Sequence, residues 1–271
     1  MSVILAYKKR TETMKVCMER IRIEANIPSD IPMTYAGRLD PMAEGLVVFL
    51  SGDMRFQKEH MLKMDKTYHV EFFLGYETDT YDVLGMVKKS ASSELKEITM
   101  QTILSFQKPE TFIQNFPAYS SRKVLGKPLF VHAKESVKND VDIPIESHEV
   151  TIYHYSELVH QEINSKELLQ TIISDIKNVD GDFRQQESIE SWKKVSDTFA
   201  QMILMYEIDL SVSSGFYVRQ WVHDFGTFLS TGAVTFRIVR DTIGIFTMSM
   251  LNGESYRVFN EQDQLIQNLT K

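Results

Sequence analysis

The sequence predicts an α+β fold, because two kinds of hydrophobic pattern are mixed along one chain. Alternating apolar and polar residues at 68–74 and 204–211 are typical of half-buried strands. Apolar residues at helical spacing at 216–228 and 164–200 are typical of helices that pack on a core. The absence of an internal repeat or low-complexity tract excludes a repeat architecture. We therefore expect strands and helices to share one body.

Three strands are predicted from turn signals as well as from alternation. The first covers residues 68–74 and ends at Gly75, and the second covers residues 150–154. The third covers residues 204–211 and ends at the turn-forming Ser213-Ser214-Gly215.

Two helical regions are predicted in the second half of the chain. One helix begins near Phe216 and ends at Ser230-Thr231-Gly232, since apolar residues recur every three or four positions between these points. Residues 164–200 carry two apolar stripes separated by Asp180-Gly181-Asp182, which predicts a helix-loop-helix insertion packed on the main body. Seven acidic residues against five basic ones in this insertion favour packing or protein binding over RNA contact.

Length and composition indicate an ordinary packed protein. The chain has 271 residues, 43% of them hydrophobic, which excludes a disordered tail, a collagen or a disulfide scaffold. The single cysteine, Cys17, cannot form an internal disulfide or a CxxC zinc pair, and the first residues have the reverse order of a secretory signal. We expect a cytoplasmic protein with no metal and no membrane partner.

The formal net charge of −7 argues against a general polyanion binder, but the basic residues are unevenly distributed. Residues 1–23 contain six Lys and Arg against two Glu. Residues 119–134 contain Arg122, Lys123, Lys127 and Lys134 with no acidic residue. Both segments are locally basic, and phosphate contact normally leaves a basic footprint of this kind.

The most informative segment is 35–49, in which Gly37 and Gly45 flank Asp40-Pro41. Because a proline biases the preceding residue towards an extended conformation, Asp40 is held out on a turn that is followed by an apolar run. Asp-Pro turns are common, so this feature alone does not distinguish a catalytic carboxylate from a capping one.

The full string at 37–46, Gly-Arg-Leu-Asp-Pro-x-Ala-x-Gly-Leu, resembles the catalytic loop of pseudouridine synthases. Its Pro and Ala are similar to the TruB family, which modifies uridine 55 in the T arm of tRNA. Four further blocks resemble that family in the same order; they are Lys-x-Tyr at 66–68 with Thr-Asp-Thr-x-Asp-x-x-Gly at 78–85, the segment 117–127, Gly-x-Tyr-x-Arg at 215–219, and Arg240 with Ile-Gly-x-Phe at 243–246.

The resemblance implies a pseudouridine synthase fold, with a mixed, mostly antiparallel central sheet flanked by helices. It places a catalytic domain at residues 1–250, with a thumb-like segment at 115–136 and the helical insertion at 164–200. Residues 251–271 are then a short C-terminal extension, without the PUA domain of many bacterial members.

The resemblance also implies the chemistry, which breaks the N1–C1′ bond of a uridine and rejoins the uracil through C5 without a cofactor. Asp40 is the implied catalytic carboxylate, and it acts either as a nucleophile or by removing a sugar proton to open a glycal route. Arg219 is implied as the ion-pair partner that favours the charged carboxylate. Tyr68 is implied to stack on the flipped uracil and to relay the C5 proton.

Base flipping requires contacts that hold the RNA and fill the vacated space. The RNA-binding residues that we expect are Tyr35, Arg38, Tyr119, Arg122, Lys123, Lys127, Lys134, Tyr217 and Arg240. Asp79 and Asp82 are interpreted as turn and hydrogen-bonding residues near the cleft, since no histidine completes a metal site with them.

Several features depart from the family pattern. The usual Lys-Pro-x-Gly opening is absent at residues 8–13, and Tyr35 stands where many members have a histidine. Arg38, which precedes Leu-Asp in the loop motif, resembles the arginine of sister families that act on ribosomal RNA. Modification of ribosomal RNA or of another tRNA position is therefore an alternative. A non-catalytic tRNA-binding or folding protein is a second alternative, and a monomer is the default expectation.

Overall fold

The structure is a computed structural model, and it describes residues 2–90, 97–139, 146–260 and 262–269. The strands are β1 (Ser2–Lys8), β2 (Met33–Ala36), β3 (Ala43–Ser51), β4 (Lys66–Leu74), β5 (Tyr76–Thr78), β6 (Val87–Ser90), β7 (Thr111–Asn115), β8 (Lys123–Val124), β9 (Lys127–Pro128), β10 (Ser147–Tyr155), β11 (Val159–Asn164), β12 (Met202–Val212), β13 (Ala233–Ile243), β14 (Phe246–Thr247) and β15 (Tyr256–Asn260). The helices are α1 (Met14–Glu24), α2 (Lys58–Leu62), α3 (Met100–Phe106), α4 (Leu129–Asn139), α5 (Ser165–Asn178), α6 (Gln185–Lys194), α7 (Val218–Phe228) and α8 (Gln264–Leu269), with 3-10 turns at Gly52–Gln57, Ser196–Thr198 and Met248–Leu251.

One mixed sheet forms the centre of the molecule, with the strand order β15-β1-β3-β13-β4-β12-β10-β7. Strands β2, β14 and β11 pair at the sides of β3, β13 and β12. The β3–β13 pair is parallel, and the other pairs of this sheet are antiparallel. The predicted α+β class with a mostly antiparallel sheet is therefore confirmed.

The parallel contact between β3 and β13 depends on Gly45. This glycine lies opposite Arg240 and has φ of +107°, a conformation that residues with a Cβ rarely adopt. A Cβ at this position would lie 2.5 Å from the carbonyl oxygen of Arg240. The glycine in the loop motif therefore permits the close approach of two central strands just after Asp40.

The sheet buries both of its faces, and neighbouring residues of β4 show how. Phe72 packs edge-on against Trp221 of α7 with ring centres 6.4 Å apart. Phe73 points to the opposite face and lies 6.2 Å from Trp192 of α6. Because successive strand residues alternate between faces, α7 covers one side and the insertion helices cover the other.

The predicted strands and helices are found close to their expected bounds. The three strands correspond to β4, β10 and β12, and the insertion contains helices α5 and α6 as predicted. Helix α7 begins at Val218, two residues after the expected Phe216, because Tyr217 is still extended with φ of −106° and ψ of 102°.

The C-terminal extension that the sequence analysis placed outside the catalytic domain, at 251–271, contributes strand β15 to the central sheet. Strand β15 pairs antiparallel with β1 from Ser2–Asn260 to Ala6–Tyr256 and forms one edge. A boundary between residues 250 and 251 therefore cuts the Met248–Leu251 turn and does not separate two structural units. In the four described ranges, no helix is long and apolar enough to cross a bilayer.

Candidate active site

Asp40 and Arg219 meet at the centre of the sheet. Asp40 lies on the loop between β2 and β3, and Arg219 lies in the first turn of α7. The Arg219 Nε donates to the Asp40 Oδ2 at 2.7 Å. The Arg219 side chain is 4% exposed, whereas the Asp40 side chain is 37% exposed. The pair therefore presents a carboxylate to the solvent side and buries the cation behind it.

The Arg219 guanidinium is held at all three of its nitrogens. Its Nη1 donates to the carbonyl oxygen of Thr80, and its Nη2 donates to that of Tyr119 at 3.3 Å. Burial alone would lower the pKa of Arg219, but the carboxylates of Asp40 and Asp82 outweigh this and raise it. The side chain is therefore a permanent, immobile cation.

Asp82 is a second carboxylate on the same guanidinium, 3.7 Å from the Arg219 Nε. It is buried and accepts hydrogen bonds from the Thr80 Oγ1 at 2.6 Å and from the Leu84 N–H at 3.1 Å. Burial raises its pKa, and Arg219 opposes that shift. The sequence analysis interpreted Asp82 as a turn and hydrogen-bonding residue near the cleft but did not identify its ion pair with Arg219, although the Thr-Asp-Thr-x-Asp motif marks the position.

A cavity of about 240 Å³ opens over this pair. Two tyrosines line this cavity: Tyr68, which lies on β4 and is 8% exposed, and Tyr217, which immediately precedes α7. A larger cleft of about 540 Å³ adjoins the cavity and shares Asp40 and Arg219 with it. The structure thus brings Asp40, Tyr68 and Arg219 together, and places Tyr35, Arg38 and Tyr119 along the larger cleft.

Arg240 supports the Asp40 loop from below. Its side chain is buried, and it donates to the carbonyl oxygens of Leu46 at 2.7 Å and of Gly37 at 3.3 Å. It also lies opposite Tyr68 in the β4–β13 pair. Arg240 was expected to bind RNA; it lines the cavity, but it is buried and its guanidinium donates to backbone oxygens. Contact with RNA stays a prediction for this residue.

Lys8 holds the same loop from β1. Its Nζ donates to the carbonyl oxygens of Ala43 at 2.6 Å and of Pro41 at 3.3 Å, and the side chain is fully buried. Burial lowers the pKa of Lys8 to about 8, although the charge of Asp40 opposes this. From the sequence, Lys8 belonged only to a locally basic segment, because no sequence pattern distinguishes a buried lysine from exposed ones.

Three further predicted RNA contacts line the two cavities. The Arg38 Nη2 donates to the hydroxyl of Tyr35 at 2.7 Å, so the exposed Arg38 is held against the half-buried Tyr35. The backbone of Tyr217 is fixed by Gln114, which donates to its carbonyl oxygen at 3.0 Å and accepts from its N–H at 2.9 Å.

The predicted thumb-like segment is a small hairpin followed by a helix. Strands β8 and β9 are joined by Leu125 and Gly126, with φ of 49° and 82°, as a two-residue primed turn requires. Lys123 and Lys127 are exposed on this hairpin, and Lys127 forms a surface ion pair with Glu135 at 2.9 Å.

Two other predicted basic contacts flank the hairpin. The Arg122 Nε lies 3.4 Å from the Glu146 carboxylate in an exposed pair. Lys134 lies in α4, but its side chain is outside the described residues. Among the residues that the structure describes, no group of three or more His, Cys, Asp or Glu could hold a metal ion.

The family model of the TruB family pseudouridylate synthase N-terminal domain matches residues 32–175. The chain is 28% identical to tRNA pseudouridine synthase B of Blochmanniella floridana over 218 residues, which is 80% of this chain and 67% of that protein. It is 26% identical to tRNA pseudouridine synthase 4 of Schizosaccharomyces pombe over 293 aligned positions, covering 89% of this chain and 72% of the relative.

A solved structure, that of a Cbf5-Nop10-Gar1 complex, shares the fold. It superposes on 91% of this chain with a TM-score of 0.50 and 16% sequence identity. The match covers 50% of the chain in that complex, so this chain spans about half of its length. At this identity the likeness concerns the arrangement of strands and helices.

Proposed function

The chain belongs to the TruB family of pseudouridylate synthases, and we propose that it is an isomerase that converts uridine to pseudouridine in tRNA. We further propose that the target is uridine 55 of the T loop and that the enzyme acts as a monomer in the cytoplasm. The observation that carries the proposal is the Asp40 carboxylate, which faces a cavity while its Arg219 partner is buried.

The isomerisation needs a single positioned carboxylate. The N1–C1′ bond breaks, the uracil turns in place, C1′ bonds to C5, and the proton from C5 is replaced by one on N1. Asp40 lies where it could attack the nucleoside or remove a proton from the sugar. Arg219 keeps it oriented through a hydrogen bond at 2.7 Å, so little reorganisation is needed during the reaction.

Tyr68 and Tyr217 supply the apolar walls that a flipped base requires. Both rings line the small cavity, and Tyr68 lies on a central strand whose backbone cannot move aside. We propose that the Tyr68 ring stacks on the uracil and that its hydroxyl relays the C5 proton.

The larger cleft and the hairpin would hold the rest of the RNA. Tyr35, Arg38 and Tyr119 line this cleft, and Arg122, Lys123 and Lys127 are exposed on the adjoining segment. Basic and aromatic side chains of this kind contact phosphates and unstacked bases. We include Lys134 in this surface on the basis of its sequence position alone.

Position mapping tests the proposal. Unmodified tRNA, the same tRNA with its T-loop uridine replaced by cytidine, and a ribosomal RNA fragment are each incubated with the protein, and pseudouridine is then mapped. We expect product only in the first RNA. Product at another position would support the ribosomal RNA or alternative tRNA target, for which Arg38 is the sequence argument. Binding without product would support a tRNA-folding protein and overturn the proposal.

A further inference from the structure

We propose that the helical insertion at 164–200 helps to fix the geometry of the active site. Within this insertion, Asp175 and Arg184 are positioning residues for the Asp40–Arg219 pair. The inference rests on the proposed function, because it assigns the insertion a part in the same reaction. It also revises the sequence-based interpretation of the insertion as packing or partner-binding. Two separate series of contacts support it. One leads to the Asp40 loop, and the other leads to the loop that contains Thr80, whose carbonyl oxygen accepts a hydrogen bond from Arg219.

The first series of contacts runs through Arg10. The Arg10 Nε pairs with the Asp175 Oδ2 of α5 at 2.7 Å, and both side chains are less than a fifth exposed. The Arg10 Nη1 donates to the carbonyl oxygen of Met42 at 3.0 Å. Met42 follows Asp40 by two residues on the same loop. Asp175 therefore fixes a cation that in turn fixes the backbone beside the carboxylate.

The second series of contacts runs through Arg184, which immediately precedes α6. Its Nη1 pairs with the Asp79 Oδ2 at 2.8 Å, with side chains 19% and 9% exposed. Its guanidinium also lies 4.7 Å from the centre of the Tyr119 ring, a cation–π distance. Asp79 adjoins Thr80 in sequence, and the carbonyl oxygens of Thr80 and Tyr119 both accept from Arg219.

Helix α6 contacts the same loop and the start of β6, which follows it. The Trp192 Nε1 donates to the carbonyl oxygen of Val83 at 3.0 Å, and the Val87 N–H donates to the Ser191 Oγ at 3.0 Å. The residues that contact Arg219 on the inner side, Thr80 and Asp82, lie in this loop. Helix α6 therefore contacts the outer side of a loop whose inner side contacts Arg219.

The backbone conformation of Arg184 indicates that this residue does more than help the insertion to cover the sheet. Its φ is +60°, in the left-handed region that residues other than glycine adopt at a cost. Apolar packing by Trp192 and the α5 stripe would cover the sheet without this residue. Arg184 also lines the larger cleft, but its guanidinium is engaged by Asp79 and Tyr119. We therefore assign it a positioning role, and the salt dependence of the Kd below separates that role from direct RNA binding.

The experiment compares Arg184→Ala, Arg184→Lys and Asp175→Asn with wild type. Lys194→Ala and Asp180→Asn are the matched controls, since both residues are exposed in the same insertion and the changes remove one charge of each sign. The single-turnover rate is measured at saturating unmodified tRNA, and the Kd for tRNA is measured at several salt concentrations. Thermal unfolding of each variant is recorded in parallel.

We expect Arg184→Ala and Asp175→Asn to lower the single-turnover rate by about tenfold or more, because small displacements of catalytic groups cost up to about 10²-fold in rate. The Kd should stay within about twofold, since no RNA contact is removed. Arg184→Lys should recover part of the rate, because it restores the charge opposite Asp79. The two control variants should match wild type.

Wild-type rates in Arg184→Ala and Asp175→Asn would overturn the inference. So would a weaker Kd with a shallower salt dependence, which would make Arg184 an RNA contact. If Arg184→Ala does not fold, Arg184→Lys and Asp175→Asn decide by the same criteria. A wild-type protein that forms no pseudouridine would instead overturn the proposed function, so the two failures are distinguishable.

Discussion

The Arg219 Nε and the Asp40 Oδ2 lie 2.7 Å apart although 179 positions separate the two residues in the chain. The contact joins the first turn of α7 to the loop before β3, across the middle of the sheet. Because the guanidinium is buried and bonded at each nitrogen, the carboxylate has a fixed support on one side and open space on the other.

Arg219→Ala should reduce the single-turnover rate by about 10²-fold or more, because the carboxylate loses the group that orients it. The affinity for tRNA should change by less than about threefold, since Arg219 is only 4% exposed and its three nitrogens donate to oxygens of the protein. Arg55→Ala, which removes an exposed arginine paired with Asp53, is the control. Equal losses in rate and affinity would contradict the orienting role.

Tyr68→Phe should keep tRNA binding within about twofold and lower the rate of product formation. The ring remains available for stacking, whereas the hydroxyl that we propose as the relay for the C5 proton is lost. The measurement is tritium release from uridine labelled at C5, with Tyr153→Phe, an exposed tyrosine on β10, as the control. A Tyr68→Phe variant as fast as wild type would remove the proton role and leave only stacking.

Lys123→Ala combined with Lys127→Ala should make tRNA binding less dependent on salt. Each phosphate contact contributes roughly 0.7–0.9 to the slope of log K against log salt, so the slope should fall by about 1.4–1.8. The ion pair of Lys127 with Glu135 is exposed and contributes little, so it does not prevent such contacts. The pair Lys193→Ala and Lys194→Ala, exposed on α6, is the control. An unchanged slope would mean that the hairpin lysines are only solvated.

Lys8 should make the protein more stable as the pH rises above about 8. Burial lowers its pKa to about 8 in the folded protein, whereas an unfolded lysine keeps its ordinary value near 10.4. Between these values the unfolded chain binds more protons, so the free energy of unfolding rises with pH by at most about 1.4 kcal/mol per pH unit.

Lys8→Met tests this by urea unfolding at pH 8 and at pH 9.5. The variant should lose part of the rise that wild type shows, and Lys9→Met at the neighbouring exposed position should keep it. Lys66, whose pKa burial also lowers to about 8, should maintain the rest of the rise in both variants. Equal pH dependence in Lys8→Met and wild type would contradict the assignment.

The periodic elements of the fold were predictable from sequence, because their patterns are local. The alternation in β4 and β12 and the helical spacing in α7 are visible within windows of nine to eleven residues. Strand β15 was missed, since its place beside β1 depends on pairing across the whole chain. A short edge strand carries no pattern that distinguishes it from a loop.

The site residues that belong to a sequence motif were predictable, whereas those whose role depends on being buried were not. Asp40, Tyr68 and Arg219 lie in matched motifs, and the structure brings them together around one cavity. Arg240 was expected to bind RNA and Lys8 to belong to a locally basic segment, but both are buried and donate to backbone oxygens of the Asp40 loop, at Gly37 and Pro41 respectively. Composition cannot separate a surface cation from a buried one, because that difference arises from tertiary packing.

Asp40→Asn, assayed under single turnover with unmodified tRNA, tests the central claim most directly. The substitution keeps the shape of the side chain and removes its charge, and tRNA binding measured in parallel shows whether the cleft is intact. We predict that wild type forms pseudouridine in the T loop and that Asp40→Asn binds tRNA but forms no detectable product. Product formation by Asp40→Asn at the wild-type rate would contradict a catalytic role for this carboxylate.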